Sequence, residues 1–283
     1  MRSTPAAELA PRTAARRTGS ALRLRPRSAL VLGLVSVASL AAFCWPLLLA
    51  PEPGAGHSLD APLVFTLMLP VLVGILLAEM SEGGIDAKSL AMLAVLSAVG
   101  AALRPLGAGT AGIETVFFLL ILAGRVNGPG FGFVLGGTTM FASAIVTGGV
   151  GPWLPFQMMA AGWVGLGAGL LPRARGRSEI ALLCVYGILA AYVYGSIMNL
   201  WFWPFGTGAS SDVSYVAGAP ILDNLRRFAA FDAVTSFGWD TGRAVTNTAL
   251  LVFAGPAVLA TLRRASRRAA FDAPVVFDDA APV

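Results

Sequence analysis

Apolar stretches about as long as a bilayer crossing recur along this chain from near one end to the other. A bilayer core of about 30 Å takes about 20 mostly apolar residues in a helix. Eight runs approach that: Ala29–Leu49, Pro62–Met80, Ser89–Leu103, Thr115–Gly124, Gly130–Thr147, Pro155–Leu171, Ile180–Trp203 and Ala244–Leu262. Inside lipid each backbone N–H and C=O must bond within its own segment, so runs of this length predict helices. Only 12% of the 283 residues are charged, whereas soluble globular domains carry roughly a quarter. So few charges cannot cover a water-facing surface. The sequence therefore predicts an all-α integral membrane protein of about eight spans.

Arginine sets the orientation. Arg2, Arg12, Arg16, Arg17, Arg23, Arg25 and Arg27 precede the first run, Arg173, Arg175 and Arg177 separate the sixth from the seventh, and Arg263, Arg264, Arg267 and Arg268 follow the eighth. Basic residues in short loops mark the cytoplasmic side. All three clusters fall on one side of an eight-span chain, which places both termini in the cytoplasm and Glu52, His57, Asp60 and most of residues 204–239 outside. The basic tail followed by an apolar run resembles a signal peptide, but the run is too long for one and reads as a retained helix. These arginines flank spans and no nucleic-acid fold is visible, so no nucleic-acid partner is expected. Pro51–Glu52–Pro53–Gly54, Asn127–Gly128–Pro129–Gly130 and Gly148–Gly149–Val150–Gly151–Pro152 punctuate the runs with turn residues.

Several chemistries lack their residues. His57 is the sole histidine and lies in a loop, so a two-histidine zinc helix is excluded. The sole lysine, Lys88, follows Asp86–Ala87, so the chain has no phosphate-binding loop of the Gly-Lys-Ser/Thr type. Asp278–Asp279 sits in a polar tail, and Cys44 and Cys184 lie in apolar runs as small hydrophobes. No metal, catalytic group or directly bound cofactor is expected. Small residues instead mark packing faces: Gly132 and Gly136, Gly165 and Gly169 with Gly162 nearby, and a stripe of Ala94, Ala98 and Ala102. Such residues let helices approach closely within a bundle or against a partner subunit.

These residues also carry a family resemblance. The stretch GGVGPWLPFQM from Gly148, then GWVGLGAG over Gly162–Gly169, is similar to the substrate-binding S components of energy-coupling-factor (ECF) vitamin transporters. So are the alanine-striped helix ending at Arg104–Pro105, the GPGFG of Gly128–Gly132, and TSFGWD (Thr235–Asp240) leading into RAVTN (Arg243–Asn247). The resemblance covers roughly 87–264. It implies a six-helix bundle there; the first two runs depart from that plan and, set apart by Ser81–Glu82–Gly83–Gly84, read as an added two-helix hairpin over 29–86, with a basic tail at 1–28 and a polar tail at 265–283. It also implies a non-enzymatic subunit of the bacterial cell membrane that binds a vitamin or precursor on the outer side. Its implied partners are a transmembrane T component and two cytoplasmic ABC ATPases that use ATP. In that family an Ala-x-x-x-Ala stripe meets the T component, which maps onto Ala94 and Ala98, with Ala102 extending it.

The topology gathers candidate ligand contacts at the outer mouth. Trp153, Phe156, Trp201, Trp203, Phe237 and Trp239 offer ring faces, and Gln157, Asn199 and Asn247 offer amides. Interfacial aromatics are also the ordinary belt of a membrane protein. Asp240, Arg243 and Asn247 share one helix face, either as a pair orienting the last helix or as a polar stripe facing a ligand. Ile221–Phe231 has helical spacing, with Ile221, Leu222, Leu225 and Phe228 as its apolar groups, and predicts a surface helix or a lid. A large lid beside tryptophans suits a bulky ligand, with a corrinoid such as cobalamin as the candidate. Two other classes remain open: a membrane enzyme acting on lipid or isoprenoid substrates, and a structural subunit whose small-residue faces only assemble a complex.

Overall fold

The computed structural model describes residues 26–48, 69–71, 73, 74, 76–78, 81, 87–107, 110–206 and 212–269. Every regular element among them is a helix. In order these are α1 (Pro26–Phe43), α2 (Trp45–Leu48), α3 (Leu69–Ala78, described in part), α4 (Ala87–Leu103), α5 (Val116–Asn127), α6 (Pro129–Thr147), α7 (Leu154–Leu170), α8 (Gly176–Gly206), α9 (Ile221–Thr235), α10 (Phe237–Phe253) and α11 (Gly255–Ala269). A 3-10 turn, Arg104–Leu106, closes α4. By length and apolarity four helices can each cross a bilayer: α1, α4 with its closing turn, α6 and α8. The remainder of the eight-span reading falls on shorter helices and on a broken one. His57 and Asp278–Asp279 lie outside the described residues.

The centre of the bundle is α5, α6 and α7, brought together by glycine. A Cβ on Gly132 would strike the backbone of Gly165, one on Gly165 would strike Gly132, and one on Gly136 would strike Ala161. Side chains are absent where the axes come nearest, so the backbones touch, and the glycine pairs read from the sequence form an internal face. Ring and aliphatic groups of Phe117, Leu120, Ile121, Leu122, Leu135 and Met159 fill the space around this contact, all nearly inaccessible. Helix α6 starts at Pro129, where a missing N–H removes no helical bond. It ends on Gly148 in the left-handed region (φ 66°), a C-terminal position that glycine takes without steric penalty.

Helix α4 packs on α6 through Leu93, Ser97 and Gly100. Ser97 Oγ and Thr138 Oγ1 share a hydrogen bond of 2.7 Å, and Gly100 lies against Thr139. The opposite side of α4 faces outward, and Ala94, Ala98 and Ala102 are all exposed on it. Helix α1 joins the bundle too. Trp163 Nε1 donates to Ser36 Oγ at 3.0 Å, and the Phe43 ring meets Phe156 edge-on at 4.9 Å.

Helix α8 has 31 residues, about 46 Å at 1.5 Å per residue, longer than the bilayer core. Its far end projects and carries α9. The predicted surface helix is present, but its inward face differs from the one expected. Asn224, Phe228 and Phe231 are buried, while Ile221, Leu222 and Leu225 are exposed. Phe228 turns inward because Trp203 supplies an aromatic surface for it, with centroids 5.5 Å apart. The last expected span also differs. It begins at Phe237 rather than Ala244 and bends by 67° between α10 and α11. Pro256 lacks an N–H to continue the ladder of α10, which accounts for the break.

Candidate functional site

Two polar ends bracket this bundle. At one, arginines from the α7–α8 loop and α11 gather. The other, where α4 ends and α7 and α10 begin, holds the sequence-predicted site residues together with two that the sequence reading did not assign, Arg104 and Glu114.

The buried centre of that second end is Arg243. Its Nε and Nη2 donate to the two carboxylate oxygens of Glu114 at 3.1 and 3.0 Å, and Nη1 donates to Asp240 Oδ1 at 2.5 Å and to the Ala191 carbonyl at 3.1 Å. The guanidinium also lies over the rings of Tyr194 (5.1 Å) and Phe117 (5.5 Å). A planar fork with several donors suits two carboxylates at once. Asp240 and Arg243 are paired within the start of α10, and a third partner, Glu114 from the segment before α5, ties that start to α5. One turn deeper, Asn247 is fully buried. Its Nδ2 reaches the Gly187 carbonyl at 3.4 Å, and its Oδ1 has no hydrogen-bond partner.

Arg104 Nη2 donates to Gln157 Oε1 at 2.9 Å, joining the end of α4 to the first turn of α7. Its Nη1 stands 3.5 Å from Ser143 Oγ. These partners are neutral, and among the described residues no carboxylate pairs with Arg104. Thr115 Oγ1, donating to the Leu103 carbonyl at 2.8 Å, holds the two segments in place.

A third group joins α8 to the cap. Asn199 Nδ2 donates to Asp232 Oδ1 (2.8 Å) and Ser236 Oγ (2.7 Å), and Ser196 Oγ donates to Asp232 Oδ2 (2.7 Å). Asn199 is thereby committed to positioning α9. Trp203 is likewise enclosed: its Nε1 donates to the Val213 carbonyl at 2.7 Å, and its ring packs against Tyr215 and Phe228. Phe156 is also enclosed, between Phe43 and Trp201. Trp153, just before α7, and Trp239 and Phe237, in the first turn of α10, are exposed aromatics, the two tryptophans to 42% and 43%.

In this conformation, then, Gln157, Trp153 and Trp239 are reachable from the surface. Asp240, Arg243 and Asn247 form a buried polar stripe along α10, and Phe156, Asn199 and Trp203 are engaged in packing. The signal that could have found Arg104 and Glu114 is charge beside an apolar run, which in a membrane bundle needs a partner or a function. Among the described residues no cluster of histidine, cysteine and carboxylate side chains could hold a metal ion.

An all-helical bundle with bilayer-length apolar helices and a buried polar stripe at one end defines a multi-pass membrane protein. Residues 88–262, more than half of the chain, match the family model of the ECF transporter substrate-specific component, and the chain belongs to that family. No curated protein and no solved structure matches it. Proteins of this family are the substrate-binding subunits of transporters rather than enzymes.

Proposed function

We propose that the chain captures a vitamin or vitamin precursor at the end bearing Trp153 and Trp239, which faces out of the cell when the arginine-rich end lies in the cytoplasm. A transmembrane T component and two cytoplasmic ABC ATPases then drive uptake. Asn247 is the observation that carries the site assignment. A fully buried amide oxygen without a partner is costly in a bundle that water does not enter. A ligand group reaching past Arg243 along that stripe would supply that partner. Gln157 and Arg104 would meet the ligand at the mouth, and Trp153 and Trp239 would cover its flat faces.

A corrinoid such as cobalamin is the candidate ligand, supported by the exposed Trp153 and Trp239 and by the surface helix α9 that leads into α10. The outward Ala94, Ala98 and Ala102 support docking of the T component on α4, because a stripe without bulk admits close helix approach. The test is ATP-dependent accumulation of labelled vitamin in vesicles containing this chain, the T component and both ATPases. Accumulation that is equal without the ATPases would contradict the reading.

A further inference from the structure

Ligand capture makes no use of the arginine-rich end. There Arg125, Arg173, Arg175, Arg263 and Arg267 surround a cavity of about 740 Å³ between α5, the α7–α8 loop and α11. One carboxylate, Glu179, faces them. It is 1% exposed and accepts from Arg125 Nε at 2.8 Å and from Arg263 Nη2 at 2.6 Å. Arg125 spends its other N–H groups on the carbonyls of Leu171 (2.9 Å) and Ala174 (3.4 Å). Among the described residues, no ion pair or hydrogen bond engages the guanidinium groups of Arg173, Arg175 or Arg267.

A second cavity, of about 520 Å³, shares Glu179 and Arg263 with the first. Its other walls are largely apolar, formed by Ile180, Val252, Pro256 and Leu259 where α10 bends into α11. Topology alone explains why arginines collect at this end. It does not explain why they converge on one cavity, or why that cavity joins an apolar groove. An ion carrying a hydrocarbon chain fits both. Guanidinium forks bind phosphate oxygens in pairs, and basic pockets between helices at the cytoplasmic side suit anionic lipid headgroups.

We infer that the Arg173–Arg175–Arg267 cavity and the adjoining groove form one binding site for an anionic phospholipid, with the phosphate among the arginines and an acyl chain along Ile180, Val252 and Leu259. This site depends only on the chain lying in a membrane and stands apart from the vitamin reading. The salt bridges of Glu179 keep the floor of the cavity fixed, while the three unpaired arginines meet the headgroup.

Native mass spectrometry and thermal unfolding of the full chain in detergent test the site, with dioleoyl phosphatidylglycerol, dioleoyl phosphatidylcholine, sn-glycerol 3-phosphate and a polyglutamate peptide as probes. The wild type should retain phosphatidylglycerol roughly tenfold better than phosphatidylcholine, and melt higher with it. The combined variant Arg173→Gln, Arg175→Gln, Arg267→Gln alters only exposed side chains and should lose that preference. Ala260→Trp, at an exposed position on the groove, should weaken lipid retention with all the arginines intact. Equal retention of both lipids by the wild type would overturn the inference, as would an unchanged preference in the arginine variant. Protection by sn-glycerol 3-phosphate equal to that by the lipid would assign the cavity to a free phosphate compound instead. Tighter binding of a polyglutamate peptide than of the lipid would assign it to an acidic protein segment.

Discussion

Replacing Asp240 with asparagine leaves the shape of the buried clasp and removes one of the two charges that balance Arg243. The Asp240 and Arg243 side chains are only 3% and 8% exposed, whereas Glu114 is 29% exposed. Removing one partner of a buried ion pair destabilises by about 3–5 kcal/mol, because the remaining charge is left buried. Arg243 would keep Glu114 and the Ala191 carbonyl, so the lower end, about 3 kcal/mol, is the better figure for Asp240→Asn. Glu114→Gln should lose less, about 1 kcal/mol, since solvent reaches that carboxylate and screens it. At about 2–4 °C per kcal/mol for a chain of this size, the expected falls are about 6–12 °C and about 2–4 °C. Tryptophan fluorescence during thermal unfolding of the purified protein in detergent reads both. A melting point for Asp240→Asn within about 2 °C of wild type, or a larger loss for Glu114→Gln, would refute the claim that Asp240 is the chief counter-charge of the buried Arg243 clasp.

Four further outcomes are expected. Gly165→Ala should destabilise by at least about 1–3 kcal/mol, because the new Cβ meets the Gly132 backbone, which cannot swing away. Gly33→Ala, with nothing within 4 Å of its added Cβ, should be neutral or slightly stabilising in the same melt. Asn247→Ala and Gln157→Ala should each weaken vitamin binding in a titration by roughly tenfold with membrane insertion intact, and unchanged affinity in both would remove them from the site. Ala94→Leu with Ala98→Leu should abolish uptake in the reconstituted vesicles while leaving vitamin binding as it was. Surviving uptake would mean that the exposed stripe faces only lipid.

The helices were legible because apolar run length and turn residues are local properties. The Gly132–Gly136 and Gly165–Gly169 spacings showed their close-packing face for the same reason, since small residues four apart line one side of a helix. The lid was legible as a helix over Ile221–Phe231. Its orientation was not, because which face turns inward depends on Trp203 and Val216, brought near by the fold: Asn224 exchanges two hydrogen bonds with the Val216 backbone, at 3.1 and 2.9 Å. Glu114 escaped assignment since its partner lies 129 residues away, a pairing that no spacing rule encodes. Phe156 looked available to a ligand because nothing in its own segment shows that Phe43 of α1 covers it. The bend before α11 had a local sign, Gly255–Pro256, inside a run whose apolarity argued for continuity.

Whether this chain holds a vitamin is read by mass spectrometry of small molecules released from the detergent-purified protein, followed by titration of the emptied protein. One vitamin or precursor is expected in stoichiometric amount, rebinding the wild type and rebinding Asn247→Ala more weakly. An empty protein that binds no member of a vitamin panel would contradict the vitamin reading.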